Sequence, residues 1–549
     1  MTEHSTAATK VIDYHERTKH RFDGYARGPE TIDWDAQPDP FRRFDGAPQR
    51  ELPLQNANAA PSYASLFSGQ EAAVQPWSET TISRLLQFSL ALAAWKQYGT
   101  SRWSLRCNPS SGNLHPTESY LILIGIEGFE NGLYHYRVDR HQLELRCRYG
   151  TVTDVTGPLL LLGFSSVHWR EAWKYGERGY RYCQLDLGHA LAAVTFSSTL
   201  LGYRVTRLKE VGTTMLQRLL GLDRSDEFFP DEAEHGDMLL AFHPATEPPE
   251  SPIGALLKAS AEARWYGRAN RLDPRHLYDW PVIAEVAEAA QRPADSSEPY
   301  EAEQWASPIP AADHPLSQQS ALKLFQQRRS AQAFDPDGSI PIEDFYRLMD
   351  RLLPRSDLPP WSSQAWPPRV HLALFIHGVE GLATGLYLLA RRHVAPDELK
   401  TLLRDDLLWE PVEDAPSHLP FYCLARAKAR QAAMQLGCHQ AIAGDSAFSL
   451  AMLAELEPAV SQASWLYNEL LWEAGMIGQT LYLEAEAIGM RGTGIGCFFD
   501  DGVHEMLGIQ GKALQAVYHF TVGAPLSDPR LATLPPYPNQ RNQAGISVG

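Results

Sequence analysis

The chain has no run of about 18 apolar residues, so no segment reads as a transmembrane helix. Its first thirty residues are polar and charged, without the apolar core of a secretory signal, and this leads to the expectation of a cytoplasmic protein. Cysteine is scarce, with six in 549 residues. No two are spaced C-x-x-C, which argues against a zinc ribbon or a thioredoxin-like motif and favours reduced thiols. Positive charge is in deficit: 49 Lys and Arg face 66 Asp and Glu, for a formal net charge of -17. Such a surface repels nucleic acid and anionic lipid, so neither is an expected partner. Metal-ligand spacings are missing too. Cys438-His439 stands without partners, and His504-Glu505 runs on as Met-Leu-Gly instead of completing H-E-x-x-H, so no metal is expected.

What is present is core-forming material. Hydrophobic residues make up 44% of the chain, with 14 Trp, 22 Tyr and 20 Phe, which argues against global disorder. Domains run to roughly 100–200 residues, so two domains plus extensions are expected.

An internal repeat supports that division. Tyr180–Asp223 aligns without a gap on Tyr467–Gln510, placing Gly188 on Gly475, Gly202 on Gly489 and Arg204 on Arg491. Each copy reads as a buried helix followed by a glycine turn. Leu187, Leu191, Val194 and Leu201 share one helical face, as do Ile477, Leu481 and Ile488. Gly475 and Gly478 would weaken an exposed helix, so they are expected to permit close packing. In a second register Tyr120–Ile126 matches Val370–Ile376, each an apolar strand followed by Gly-Leu-Tyr. Leu239–Phe242 and Val517–Val522 read as closing strands. The expected organisation is an N-terminal extension (1–60), a first domain (61–247), a stretch with one helical segment and a linker (248–315), a second domain (316–530) and an irregular tail (531–549).

Three segments carry polar chemistry. Asn108-Pro109-Ser110-Ser111-Gly112-Asn113-Leu114-His115-Pro116 sets hydroxyls and an amide at fixed spacing before a strand, suited to the edge of a polar heterocycle. Arg328-Arg329-Ser330-Ala331-Gln332, after the helical run Gln318–Gln327, offers two guanidiniums and a hydroxyl to a phosphate. A plain Ser/Asn turn and a solvated basic helix end are the bland readings of these two. Gly492-Thr493-Gly494-Ile495-Gly496-Cys497 follows a helix and has the wrong spacing for a dinucleotide fingerprint.

Pro-Ser-Ser-x-Asn before a strand resembles the flavin-contacting loop of the nitroreductase superfamily, and the continuation Leu-His-Pro-Thr-Glu resembles its SagB/ThcOx-type dehydrogenase branch. The resemblance implies an α+β fold of two tandem nitroreductase-like domains in an intramolecular pseudo-dimer, with FMN as cofactor. It makes Pro109, Ser110, Ser111 and Asn113 flavin-contacting residues. It also makes Arg328, Arg329, Ser330 and Gln332 the phosphate loop, with Gln332 standing where a second basic residue is common. By the same resemblance, Gly494, Ile495 and Gly496 form a turn against the ring, and Arg530 is a further phosphate ligand. Lys174-Tyr175 matches a pair associated in that branch with proton abstraction.

The two copies are complementary. The first keeps the serine loop, but Val205, Arg207 and Lys209 stand where the second has Gly492, Gly494 and Gly496; the second keeps the arginines and glycines, but Ser362–Arg369 replaces Pro109–Pro116. One composite FMN site between the halves is therefore expected. The implied reaction is hydride transfer from a small molecule or modified peptide to flavin. An NAD(P)H-dependent nitro or quinone reductase and a flavin-free degenerate scaffold are the alternatives.

Overall fold

The computed structural model describes residues 3–538 apart from 249, 295, 297–299, 312, 313 and 394. The chain builds an α+β fold in which the same sheet occurs twice. In the first half the strand order is Gln142–Arg148, Gly132–Arg137, Thr117–Ile124, Leu159–Ser166, His235–His243, Arg204–Arg207. In the second it is Phe421–Arg426, Gly385–Leu389, Val370–Ile376, Phe448–Ala454, Gln515–Gly523, Arg491–Ile495. Every pairing within these two paths is antiparallel. The central strands are buried along their whole length, because helices and loops cover both faces. This is why they read as continuous apolar runs instead of alternating ones.

The two long helices, Gly179–Thr199 and Leu466–Ala487, pack against each other and join the halves. Nearly every residue of both is buried, so neither has a wet face, and the charged side chains they carry, such as Asp186 and Glu473, are buried with hydrogen-bond partners. Small residues set their separation. A methyl group on Gly188 would strike the Trp472 carbonyl, and one on Gly475 would strike the Leu185 carbonyl. These two glycines are the aligned pair of the repeat, so the same close approach occurs twice about the pseudo-two-fold. Each helix ends in a left-handed glycine, Gly202 or Gly489, as the apolar-Gly pairs predict.

Several peripheral expectations change. Residues 1–60, expected as an N-terminal extension, include ordered elements that pack on the rest of the chain. Glu3–Arg17 is a helix whose Tyr14 hydroxyl donates to the Glu177 carbonyl and whose His15 meets the Tyr467 hydroxyl. Gln49–Glu51 and Arg264–Trp265 both pair with Gln142–Arg148. The stretch between the halves holds two helices, Ile253–Ala261 and Pro281–Ala289, where one was expected. The tail is not irregular throughout either. Ala532–Leu534 adds to the hairpin Leu92–Tyr98/Ser101–Arg106, and the Tyr537 hydroxyl donates to the Val138 carbonyl while accepting from the Leu92 N–H. These segments lack strong periodicity, and their order comes from partners far away in sequence. Among the described residues no helix is long and apolar enough to cross a membrane.

Candidate functional site

The serine loop, the arginine loop and the glycine segment converge between the halves on two adjoining cavities that share Pro109, Ser110 and Ser330. The outer cavity, about 530 Å³, is also lined by Asn113, Arg328, Arg329 and Gln332. The inner one, about 220 Å³, is lined by Ser111, Tyr175, Gly494, Ile495 and Gly496.

The serine loop is held by its own half. Gly112, Asn113 and His115 all adopt left-handed backbone, a conformation that side-chain-bearing residues keep only when neighbours enforce it. The enforcing contacts are visible. The Ser110 hydroxyl accepts the His115 N–H at 2.8 Å, and the Asn113 amide donates to the Ser104 carbonyl at 2.9 Å. Asp186, on the long helix, accepts both the Ser111 N–H (3.0 Å) and the Ser111 hydroxyl (2.8 Å). Burial pushes the Asp186 carboxyl up to about 7, against the lowering effect of those serine bonds.

The arginine loop begins where Ala321–Gln327 ends. It crosses to the other half at once: Arg328 donates to the carbonyls of Cys107 and Arg106, both at 3.1 Å. Its Nη1 is buried with no partner among the described residues. Burial lowers the pKa of Arg328, and burial followed by the neighbouring Arg328 charge lowers Arg329 to about 10. Lys96, Arg106 and Arg491 add to the cationic lining, against the single carboxylate of Asp528 among the described residues. The result is a desolvated, anion-seeking cavity in a chain of strongly negative net charge.

The glycine segment differs from the expected turn. Among the described residues Arg491–Ile495 is an edge strand paired only with Gln515–Gly523. Its free side carries the arginine loop: the Gly492 carbonyl accepts from Ala331, and the Thr493 hydroxyl donates to the Ala331 carbonyl. The Gly494 N–H donates to the Tyr482 hydroxyl at 3.0 Å, and that hydroxyl also meets Ser330 at 2.9 Å. The need for glycine is steric, since a Cβ at 492, 494 or 496 would run into Phe520, Tyr518 or Tyr182 respectively.

Two expected residues lie outside the cavities. Arg530 is exposed, bonded to Asp528 and set over the Tyr98 ring. The tail contributes Leu531 and Thr533 to the outer cavity instead. Lys174 sits behind Tyr175, its ammonium 5.2 Å from the Tyr175 ring centroid and 5.7 Å from that of Trp34. Burial lowers its pKa, offset in part by Glu171. Conversely, Asp186, His189, Tyr482 and Tyr518 line the inner cavity; the sequence places Asp186 and His189 after the Lys174-Tyr175 segment, with His189 expected as a helix residue, and gives no sign of the two tyrosines. Their helix and strand positions looked like core, which they also are. Burial holds His189 neutral, with its pKa near 3.

The repeat creates a second equivalent position, and side chains fill it. Arg207, aligned with Gly494, lies 5.2 Å from the Trp366 ring and 5.6 Å from the Trp472 ring, and pairs with Glu469 at 2.6 Å. Trp366 is the residue aligned with Asn113. A glycine and an amide at one site are thus an arginine and an indole at the other.

Residues 325–524 match the model of the nitroreductase family. The second half of this chain is a nitroreductase-family domain. The solved structure of a "putative nitroreductase" from Anabaena variabilis ATCC 29413 superposes with a TM-score of 0.64 at 22% identity, covering 94% of this chain and 99% of that one. That likeness extends the fold to both halves. The Trifolitoxin-processing protein TfxB of Rhizobium leguminosarum bv. trifolii is 29% identical over 178 residues, covering 29% of this chain and 48% of that protein. The "Putative nitroreductase MJ1384" of Methanocaldococcus jannaschii is 28% identical over 116 residues, covering 19% of this chain and 59% of that protein. The chain therefore spans about half the length of the curated relatives it matches.

Proposed function

We propose that this protein is an FMN-dependent oxidoreductase with one flavin site, shared between its two halves, and that it dehydrogenates a small molecule or modified peptide in the SagB/ThcOx manner. The observation that carries the reading is the cluster of Arg328, Arg329, Lys96, Arg106 and Arg491 around the outer cavity, with the buried Arg328 Nη1 left without a partner among the described residues. A buried unpaired donor on a cation is costly unless an anion completes it. A phosphate answers that donor set. The adjoining inner cavity, with its glycine strand and the rings of Tyr175, Tyr182, Tyr482 and Tyr518, suits a flat ring system. Filling of the equivalent position by Arg207 and Trp366 supports one site over two. Similarity to a protein named for processing trifolitoxin supports a peptide substrate.

Arg328, Arg329 and Ser330 would hold the phosphate end, while Pro109, Ser110, Ser111, Gly494, Ile495 and Gly496 would border the ring. Bound flavin would supply two-electron redox chemistry, accepting a hydride from the substrate. The protein's own part is proton handling and orientation. Tyr175 borders the inner cavity. Lys174 stands behind it, 5.2 Å from the Tyr175 ring centroid, where burial lowers its pKa, the direction a proton acceptor needs. Asp186 fixes the serine loop, and the glycine edge strand borders the same inner cavity.

The test is the absorbance spectrum of purified protein with flavin stoichiometry. One FMN per chain is expected. Two would overturn the single site, and colourless protein that takes up no FMN on reconstitution would overturn the flavin reading. Tyr175→Phe and Lys174→Ala should leave FMN affinity intact while slowing anaerobic flavin reduction by substrate.

A further inference from the structure

Two cysteines 59 positions apart in sequence meet at the wall of the inner cavity. Cys497 lines that cavity, directly after Gly496. Each thiol is the largest influence on the other's titration, and both residues are partly exposed. Their backbones are joined as well: the Phe499 N–H donates to the Leu436 carbonyl at 2.8 Å, and the Gln440 amide donates to the Cys497 carbonyl at 3.1 Å. Cys438 and His439 both adopt left-handed backbone, a strained pair of non-glycine residues. The other four cysteines are buried.

The surroundings make the two thiols unequal. His20 accepts the Ala26 N–H on Nδ1, which leaves Nε2–H free to donate towards Cys497. The Arg178 guanidinium donates to the Gly496 carbonyl at 3.2 Å, beside the same sulfur. The hydrogen bond from Cys438, with help from His20 and Arg178 and against burial, lowers the Cys497 thiol. The same bond and burial raise Cys438. Such an asymmetric pair has one thiolate ready to attack and one thiol waiting to resolve.

We propose that Cys438 and Cys497 form a redox-active dithiol that closes to a disulfide by exchange with a small-molecule disulfide that reaches these two partly exposed thiols. In the first step the Cys497 thiolate attacks one sulfur of R–S–S–R, forming a Cys497 mixed disulfide and expelling RS⁻. In the second, the Cys438 thiol gives up its proton to the expelled thiolate and its sulfur attacks Cys497 Sγ, breaking the mixed disulfide and releasing the second RS⁻, which takes a proton from solvent. Two electrons pass from the protein thiols to the small disulfide, which leaves as two thiols. Closure ties the segment carrying Gln440 to the end of the glycine strand, on the cavity wall. This site does not depend on flavin being bound.

The test exposes the folded full-length protein to glutathione disulfide, then reads intact mass and disulfide-mapped peptides. Wild type should lose two hydrogens, retain no glutathione and give a cross-linked 438–497 peptide. Cys438→Ser should stop with one glutathione on Cys497. Cys497→Ser should take up at least tenfold less glutathione than Cys438→Ser over the same time. The proposal is overturned if folded wild type forms no 438–497 link while urea-unfolded protein reacts. It is also overturned if the two variants glutathionylate equally fast, or if the adduct in Cys438→Ser maps to another cysteine.

Discussion

Replacing Arg328 with alanine tests the composite site directly. The native guanidinium is buried at the wall of the outer cavity, spends two nitrogens on the Arg106 and Cys107 carbonyls, and leaves the third without a partner among the described residues. A charge-assisted hydrogen bond to an anion contributes about 1.5–3 kcal/mol, so its loss should weaken FMN binding by about 10- to 150-fold. Arg328→Lys keeps the charge but cannot serve both carbonyls and the anion from one ammonium, so it should fall between wild type and alanine. Arg530→Ala is the internal control: that side chain is exposed and held by Asp528, so FMN affinity should not change. The assay is titration of deflavinated protein, followed by quenching of flavin fluorescence, with circular dichroism melts to show that each variant is folded. Wild-type affinity in a folded Arg328→Ala protein would refute the reasoning. So would an Arg530→Ala loss equal to that of Arg328→Ala.

Three further outcomes follow from the same structure. Gly188→Ala should lower stability by about 1–3 kcal/mol, the cost of forcing a methyl into a filled interface, because the Trp472 carbonyl occupies that space; an unchanged urea midpoint would show that the long helices can part. Asp500 accepts from Arg178, Arg181 and the His20 N–H at 2.9–3.0 Å, and although burial opposes it, the two arginines hold its carboxyl well below the usual range. Asp500→Ala should therefore cost about 3–5 kcal/mol by stranding buried charge, read as a large drop in the urea midpoint; a loss under about 1 kcal/mol would mean the arginines find other partners. Asp186, raised to about 7 from 3.8, keeps its proton in the folded state after the unfolded chain has released its own. Its stabilising contribution is full below pH 4 and is lost as pH rises towards 7, by up to about 1.4 kcal/mol per unit. Asp186→Asn should flatten the stability profile between pH 4.5 and 6.5, and parallel profiles would contradict the shift.

Much of this molecule can be read along the chain because the signals are local. Val370–Ile376 is an apolar run that forms a strand with those bounds. The helices around Gly188 and Gly475 declare themselves by period and by their closing glycines. The repeat also carries its own asymmetry: glycine against arginine at 494 and 207, serine loop against its eroded copy. Those differences alone argue for one site where symmetry would make two. What sequence could not supply is convergence. Arg328 bonds to carbonyls more than 200 positions away, Asp186 doubles as core residue and serine-loop anchor, and Arg207 finds Trp366 and Trp472. Cys438 and Cys497 meet only because two loops from separate elements are bonded together. Periodicity and turn chemistry belong to neighbouring residues and survive in a linear string. Desolvation, unpaired donors and thiol contacts belong to residues that chain folding alone makes neighbours, so tertiary structure decided them.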